Sequence, residues 1–159
     1  MSRVLRLFQQ NDIPAVARLY RQLFEHVAEL EPAYLQASEQ DEKFLLQVCN
    51  GENGFVGYVV EVSGTIAGFA IAQQQASPPY ACFRPLKSVY LMDMGVEQAF
   101  RGQGIGTSLI AAVKEWASEQ KADYLELTVH DANSKAAHLY QREGFAPYST
   151  SMRMWLGES

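Results

Sequence analysis

The chain has 159 residues, 48% of them hydrophobic, and a formal net charge of −5 at pH 7. This length predicts one domain, and the hydrophobic fraction is typical of a packed core and excludes a disordered chain. The acidic balance argues against general nucleic-acid binding, which needs a basic face, and it favours a cationic or amine substrate.

The cysteines and the lack of long apolar runs predict where the protein resides. Cys49 and Cys82 lie far apart, with no His or Cys at metal-binding spacing, so we expect free thiols, a reducing compartment and no metal. The first residues lack the apolar core of a signal peptide, and no apolar run approaches the ~20 residues of a membrane span. We therefore expect a soluble cytoplasmic protein, one domain over residues 1–159, with neither nucleic acid nor a membrane as partner.

The first half of the chain predicts a strand, two helices and a β-hairpin. Asp12 is a suitable helix cap, Pro14 suits a first turn, and apolar residues then recur at helical spacing. The segment 63–65 is a tight connection between two alternating segments. The predicted elements are the strand 4–8, the helices 12–27 and 41–49, the hairpin strands 55–62 and 66–73, and a mobile loop over 74–85.

The second half alternates strands with helices. Asn133 or Ser134 caps the last predicted helix, and Gly144 ends it. The predicted elements are the strand 88–96, the helix 107–120, the strand 123–129, the helix 135–143 and two closing strands at 145–148 and 151–156. Together with the hairpin, this order predicts an α/β protein with a mixed sheet flanked by helices, without selecting a specific fold.

A glycine-rich stretch, FRGQGIGT at residues 100–107, lies between the strand 88–96 and the helix that follows. Three glycines within five positions let the backbone approach a ligand, and the start of a helix adds free N–H groups and a positive dipole end. With the charge of Arg101, the stretch predicts a phosphate site. It lacks the Lys-Ser/Thr of a P-loop and the glycine spacing of a dinucleotide site, and a ligand-free turn is the alternative.

A second motif follows at residues 133–145, NSKAAHLYQREGF, with the form N-x-x-A-x-x-L-Y-x-x-x-G-F. With Arg101, Gly104 and Gly106 at the positions of an Arg/Gln-x-x-Gly-x-Gly/Ala loop, the chain resembles the GCN5-related N-acetyltransferase (GNAT) superfamily over residues 89–145. The resemblance implies the GNAT fold, a mixed, mostly antiparallel sheet whose central parallel strands splay apart. It also implies acetyl-CoA, held between the strands 88–96 and 123–129, and a homodimer.

The resemblance implies a role for individual residues. Tyr140 matches the family's usual general acid, a phenol that protonates the departing CoA thiolate, although core packing is the plain alternative. Gly95 fits a bulge that bends its strand. Asn133 looks like a contact to the cofactor arm, and a helix cap is the other role open to it. The implied cofactor contacts are Met94, Gly95, Val96, Arg101, Gly102, Gln103, Gly104, Ile105, Gly106, Thr107 and Asn133.

The general base is less clear. The strand VYLMDM at residues 89–94 is similar to a polyamine-acetylating branch with the motif Y-L-E-D, but Met92 stands at the glutamate position. This difference removes that branch's proposed base and puts polyamine specificity in doubt. Asp93 remains, and a carboxylate in an apolar strand is costly unless it is paired or hydrated, so we expect it to face the cleft or a partner. It is our second catalytic candidate; a cap or a salt bridge is the alternative.

The first helix and the loop after it supply candidate substrate contacts. By the resemblance this region forms one wall of the acceptor site, and acidic residues there suit an amine. Each is equally well explained as part of a solvated helix face. His130 is a weak candidate for a base. The candidate contacts are Glu25, His26, Glu29, Glu31 and Tyr34.

These observations predict an acetyl-CoA-dependent N-acetyltransferase that moves an acetyl group to a primary amine of a small molecule or peptide by direct attack in a ternary complex. The alternative is a non-catalytic acyl-CoA-binding or sensing module of the same fold, which Met92 motivates. A third hypothesis is a nucleotide-binding α/β protein unrelated to acetyl transfer. The identity of the acceptor does not follow from the sequence.

Overall fold

Residues 2–158 are described by a computed structural model, and they form five strands and four α-helices. In chain order these are β1 (Arg3–Leu7), α1 (Ile13–Leu30), α2 (Glu42–Cys49), β2 (Phe55–Val62), β3 (Thr65–Ala76), β4 (Lys87–Val96), α3 (Ile105–Glu119), β5 (Tyr124–Glu126) and α4 (Ser134–Arg142). No helix in this part of the chain is long and apolar enough to cross a bilayer.

The five strands form one mixed sheet in the order β1-β2-β3-β4-β5. The first four pair antiparallel, and β4 pairs with β5 in parallel, which confirms the predicted α/β class. Each face of the sheet is covered by helices, as the apolar periodicity predicts. On one face α3 buries Ile105, Leu109, Ile110 and Val113; on the other, α1 and α2 bury Val16, Leu19, Tyr20, Leu45 and Val48.

The start of α1 differs from the prediction in its cap. Asp12 precedes the first helical residue, Ile13, but its side chain makes no cap hydrogen bond. Its carboxylate instead accepts from the Arg6 guanidinium at 2.7 and 2.9 Å and from the Gln9 N–H at 2.8 Å. A charge-assisted pair is stronger than a neutral hydrogen bond, so the acid is held against β1 rather than over the helix end.

A bulge in β4 decides which way the strand's side chains face. Asp93 pairs with Ile71 and Leu91 pairs with Ala72, so Met92 is an extra residue without a partner in β3. Residues two apart in a strand normally share a face, and one extra residue reverses this alternation. Leu91 therefore packs in the core on the α3 side, whereas Asp93 turns toward α1.

The prediction of a bulge at Gly95 is wrong, because Gly95 pairs in register with Phe69. A Cβ atom at this position would lie 2.8 Å from Cε1 of Phe69, closer than real Cβ contacts. The glycine is explained by the aromatic ring packed against it, and the bend of the strand comes from the bulge three residues earlier.

Several element boundaries also differ. The helix predicted from residue 107 begins at Ile105, the strand predicted over 123–129 is confined to β5, and β3 and β4 shorten the loop predicted over 74–85 to residues 77–86. The two closing strands are a wrong prediction, since no residue from 143 to 158 is in a strand. A segment with alternating apolar and polar residues forms a strand only where it can pair with the edge of a sheet. The three-residue β5 offers few backbone groups for such pairing. The apolar side chains at these positions, Tyr148, Met152, Met154 and Leu156, are exposed.

Candidate active site

A cleft opens where the two parallel strands of the sheet part. Their pairing is fixed at one end, where the Asp123 N–H donates to the Lys87 carbonyl at 2.7 Å. It ends three pairs later at Tyr90 and Glu126. Beyond that point 91–96 and 127–129 both line a cleft of about 700 Å³. The splayed strands that the sequence predicts are confirmed, and the backbone edge of β4 is open toward the cleft.

The glycine-rich stretch closes one end of this cleft. Gly102 and Gly104 have φ of 77° and 78°, a left-handed conformation that glycine adopts without strain. The first hydrogen bond of α3 runs from the Ser108 N–H to the Gly104 carbonyl at 3.1 Å. The N–H groups of residues 105–107 precede it and have no helical partner. Free amides at the positive end of a 15-residue helix suit an anionic ligand.

Arg3 holds this loop in place, a role that sequence reasoning missed. Its guanidinium donates to the Gln103 carbonyl at 2.7 Å and to the Gly104 carbonyl at 2.9 Å. In a trans peptide the C=O and the following N–H point in opposite directions, so fixing these carbonyls aims the next N–H groups away from Arg3. No sequence signal links residues one hundred positions apart.

The charged residues that line the loop end of the cleft are basic. Arg101 lines it and folds back so that its Nε donates to the Val96 carbonyl at 3.2 Å. Lys135 and Arg142 of α4 also line the cleft, and neither was among the residues predicted from the sequence. Three cations in a cleft that also holds free backbone amides suit a polyanion such as a diphosphate.

Asp93 lies on the wall of the cleft beside α1. Its Oδ2 accepts a hydrogen bond of 2.7 Å from the hydroxyl of Tyr20, a fully buried residue. Burial raises the pKa of Asp93 to about 6, although the hydrogen bond from Tyr20 acts in the opposite direction. Burial and the nearby Asp93 raise the pKa of Tyr20 well above its ordinary value, so the phenol stays protonated as the donor. A carboxylate poised near neutrality is suited to proton transfer.

Tyr140 reaches the same cleft from α4. Its ring packs edge-on against Phe145 at a centroid distance of 5.9 Å. Burial raises the pKa of Tyr140, and the charge of Asp93 raises it further. The phenol is therefore a protonated group that faces the cleft opposite a carboxylate, as a general acid requires.

Asn133 caps α4 and also lines the cleft. Its Oδ1 accepts from the Ala136 N–H at 3.4 Å, and the same residue borders the cavity. The helix cap expected as one of its two roles is confirmed; its contact to a cofactor stays a prediction. The other predicted cofactor contacts, apart from Gln103, also line the cleft.

The predicted acceptor wall is only partly brought into the cleft. His26 lines it, together with Gln22, Leu23 and other residues of one face of α1. Glu25 and Glu29 lie on the exposed face of that helix, and their contact to an acceptor stays a prediction.

Glu31 and Tyr34 belong instead to a cluster with the segment after α4. Glu31 pairs with Arg153, and its carboxylate is 3.4 Å from Nδ1 of His130, which lines the cleft. The Arg153 guanidinium lies 3.6 Å from the centre of the Tyr34 ring, which also meets Trp155 edge-on. The cluster joins the loop after α1 to the C-terminal segment at the edge of the cleft.

Comparisons with known proteins agree with this architecture. The structure of a tetramutant of the BH1408 protein from Bacillus halodurans superposes with a TM-score of 0.90 at 22% identity, covering 96% of this chain and 99% of that one. The aminoglycoside N-acetyltransferase AAC(6')-Iy in complex with CoA superposes with a TM-score of 0.73 at 18% identity, covering 96% and 98%. At these identities the likeness concerns the fold.

Sequence relatives point the same way. The mouse thialysine N-epsilon-acetyltransferase is 41% identical over 70 residues, 44% of this chain and 41% of that protein. The chain thus spans less than half the length of this and other curated relatives that it matches. A family profile described as Acetyltransferase (GNAT) family matches residues 13–145, which include the glycine loop, Asp93 and Tyr140. On this match, the chain belongs to the GNAT acetyltransferase family.

Proposed function

We propose that this protein is an acetyl-CoA-dependent N-acetyltransferase that acts on a primary amine of a small molecule or peptide. The observation that carries the proposal is the continuous cleft between β4 and β5, which joins the amides of the glycine loop to Asp93 and Tyr140. Family relatives named for amine acetylation, including a streptothricin acetyltransferase from Streptomyces lavendulae, support it.

The cosubstrate would lie along the open edge of β4. The amides of residues 102–107 and the cations Arg101, Lys135 and Arg142 take the diphosphate. The pantetheine arm then pairs with the backbone of Met94 and Val96 as an added strand would, because β5 has parted from this edge. This arrangement delivers the thioester near Asp93.

The reaction needs a neutral amine and a protonated leaving group. The amine nitrogen forms a bond to the acetyl carbon as the carbonyl π bond opens to an oxyanion, and the C–S bond breaks when this tetrahedral intermediate collapses. Asp93 takes the proton from the amine, and Tyr140 gives its proton to the departing sulfur. A carboxylate with a pKa of about 6 is a stronger base than an ordinary aspartate. Backbone N–H groups on β4 polarise the carbonyl as the tetrahedral intermediate forms.

Steady-state kinetics of Tyr140→Phe test the general acid. We expect kcat for CoA release to fall by about 10²-fold or more, because the substitution removes only the hydroxyl group that would protonate the thiolate. Tyr80→Phe, an exposed tyrosine of the 77–86 loop, is the matched control and should retain wild-type kcat. An unchanged kcat in Tyr140→Phe would remove this residue from its proposed role.

The second candidate is a non-catalytic acyl-CoA-binding module, favoured by Met92 at a position where one branch of the family has a glutamate. Titration calorimetry with acetyl-CoA, followed by a thiol-release assay over a panel of amines, separates the two. Binding without release of CoA by any amine would favour the module.

We propose further that the protein is a cytoplasmic homodimer made of one domain over residues 1–159. Support for the assembly comes from the apolar side chains exposed after α4, since such surfaces are often covered by a partner. Light scattering coupled to size-exclusion chromatography should give the mass of two chains. The mass of one chain would contradict the proposed homodimer.

A further inference from the structure

The cleft proposed to receive an amine contains more basic than acidic side chains. Among residues 2–158, Asp93 is the only carboxylate that lines it. The basic residues that line it are Arg101, Lys135 and Arg142, at the end assigned above to the diphosphate. An acceptor with one ammonium group finds a partner in Asp93, whereas a second ammonium inside the cleft finds none.

Four carboxylates of α1, of the loop after it and of the segment after β4 lie outside the cleft. Glu25 and Glu29 are exposed residues of α1. Glu31 is held by Arg153, and Glu97 accepts from the Arg18 guanidinium at 2.7 Å. None of these four lines the cleft, so none is placed to receive a second ammonium group within it.

The wall of the cleft that α1 forms is mainly apolar. Positions 19, 22, 23, 26 and 30 of α1 share one helical face toward the cleft. Leu19, Leu23 and Leu30 are the apolar members of this face, and Met92 of the β4 bulge also lines the cleft. An apolar body gains free energy by covering these side chains, while an unpaired ammonium loses its hydration there.

We infer that the acceptor is an amine with a single positive charge on an apolar body, rather than a polyamine or another polycation. The inference rests on the proposed function and names its substrate class. The amine meets Asp93, and its hydrocarbon part lies between the α1 leucines and Met92. Gln22 and His26 on the same wall are available to one further polar group of the acceptor.

A matched pair of amines tests the inference. Hexylamine and 1,6-diaminohexane have the same six-carbon chain and differ by one ammonium group in place of a hydrogen atom on the terminal carbon. We expect kcat/KM for hexylamine to exceed that for the diamine by about tenfold or more, because only the diamine brings an unpaired charge into the cleft. Equal values, or a preference for the diamine or for spermidine, would overturn the inference and leave the proposed acetyltransferase in place.

Variants that add a carboxylate to the apolar wall make the test specific. Leu23→Glu should lower the preference for hexylamine at least tenfold by giving the second ammonium a partner. Leu46→Glu makes the same change at an exposed position of α2 outside the cleft and should leave the ratio unchanged. Met92→Glu provides the partner from β4 if Leu23→Glu does not fold. A ratio that neither cleft variant moves would contradict the inference.

A binding measurement separates this inference from the proposed function. If no amine supports CoA release, the acetyltransferase proposal is wrong. Calorimetric titration of the two amines into the CoA complex then still decides the inference: tighter binding of hexylamine supports it, and tighter or equal binding of the diamine refutes it.

Discussion

The position of Asp93 after the bulge of β4 gives this residue three properties. It is buried, it accepts a hydrogen bond from Tyr20, and it shares a cleft with Tyr140. Desolvation disfavours its charged form and raises its pKa, while the phenol favours the charged form and limits the rise. As the proposed base, Asp93 must be ionised to act, so kcat/KM should fall as the pH drops through about 6.

Tyr20→Phe should move this acid limb to higher pH. The substitution keeps the ring, which packs at 4.7 Å from that of Phe69, and removes only the donor to Asp93. Because that donor stabilises the carboxylate, its loss raises the pKa of Asp93, and the midpoint should rise by roughly one pH unit. The measurement is the pH profile of kcat/KM. Tyr58→Phe, on the opposite face of the sheet, should leave the midpoint in place; an unmoved midpoint in Tyr20→Phe would contradict the coupling.

At the scale of elements, β1 and the start of α3 act as one unit. The contact of Arg3 with two loop carbonyls orients amides that lie far from the reacting atoms. Arg3→Gln should therefore raise KM for acetyl-CoA by about three- to tenfold while kcat at saturation changes little, since the lost interaction is one of binding. Arg21→Gln removes a surface pair with Glu39 and serves as the control. An unchanged KM would show that the loop keeps its shape without Arg3.

For the whole molecule, the burial of Asp93 lowers the free energy of unfolding at the pH values at which this carboxyl group is ionised. The folded-state pKa of Asp93 is raised from 3.8 to about 6. Because its pKa is higher in the folded state, Asp93 binds its proton more tightly there than in the unfolded chain. This contribution to the free energy of unfolding is fully present below pH 4 and is lost as the pH rises through 6. Asp93→Asn should thus gain up to about 3 kcal/mol of unfolding free energy relative to wild type at pH 8, and much less at pH 4.5.

Denaturant titrations at the two pH values measure this difference, and thiol release by the same variant should be lost. A stabilisation that is equal at both pH values would show that the ionisation of Asp93 is not its source.

The sequence predicted the parts of this molecule whose signals are local. The glycine loop, the cap at Asn133 and the apolar faces of the helices depend on residues close together in the chain, and they were found where expected. Tyr20 and Arg3 went unrecognised because their partners lie 73 to 101 positions away. The closing strands were predicted wrongly for a related reason: alternation describes a side-chain pattern and carries no information about whether a sheet edge is there to receive it.

Because Met92 is an extra residue in β4, substitutions and deletions at this position should have different effects. Strand pairing places no demand on the residue at this point of β4, because it pairs with nothing in β3. Deletion of this one residue would restore the regular alternation of side chains along β4. Asp93 would then point toward α3 instead of α1, away from the proposed position of the amine. Natural variation here should thus preserve the length of the segment, and the cleft rather than strand pairing should limit the choice of residue at position 92.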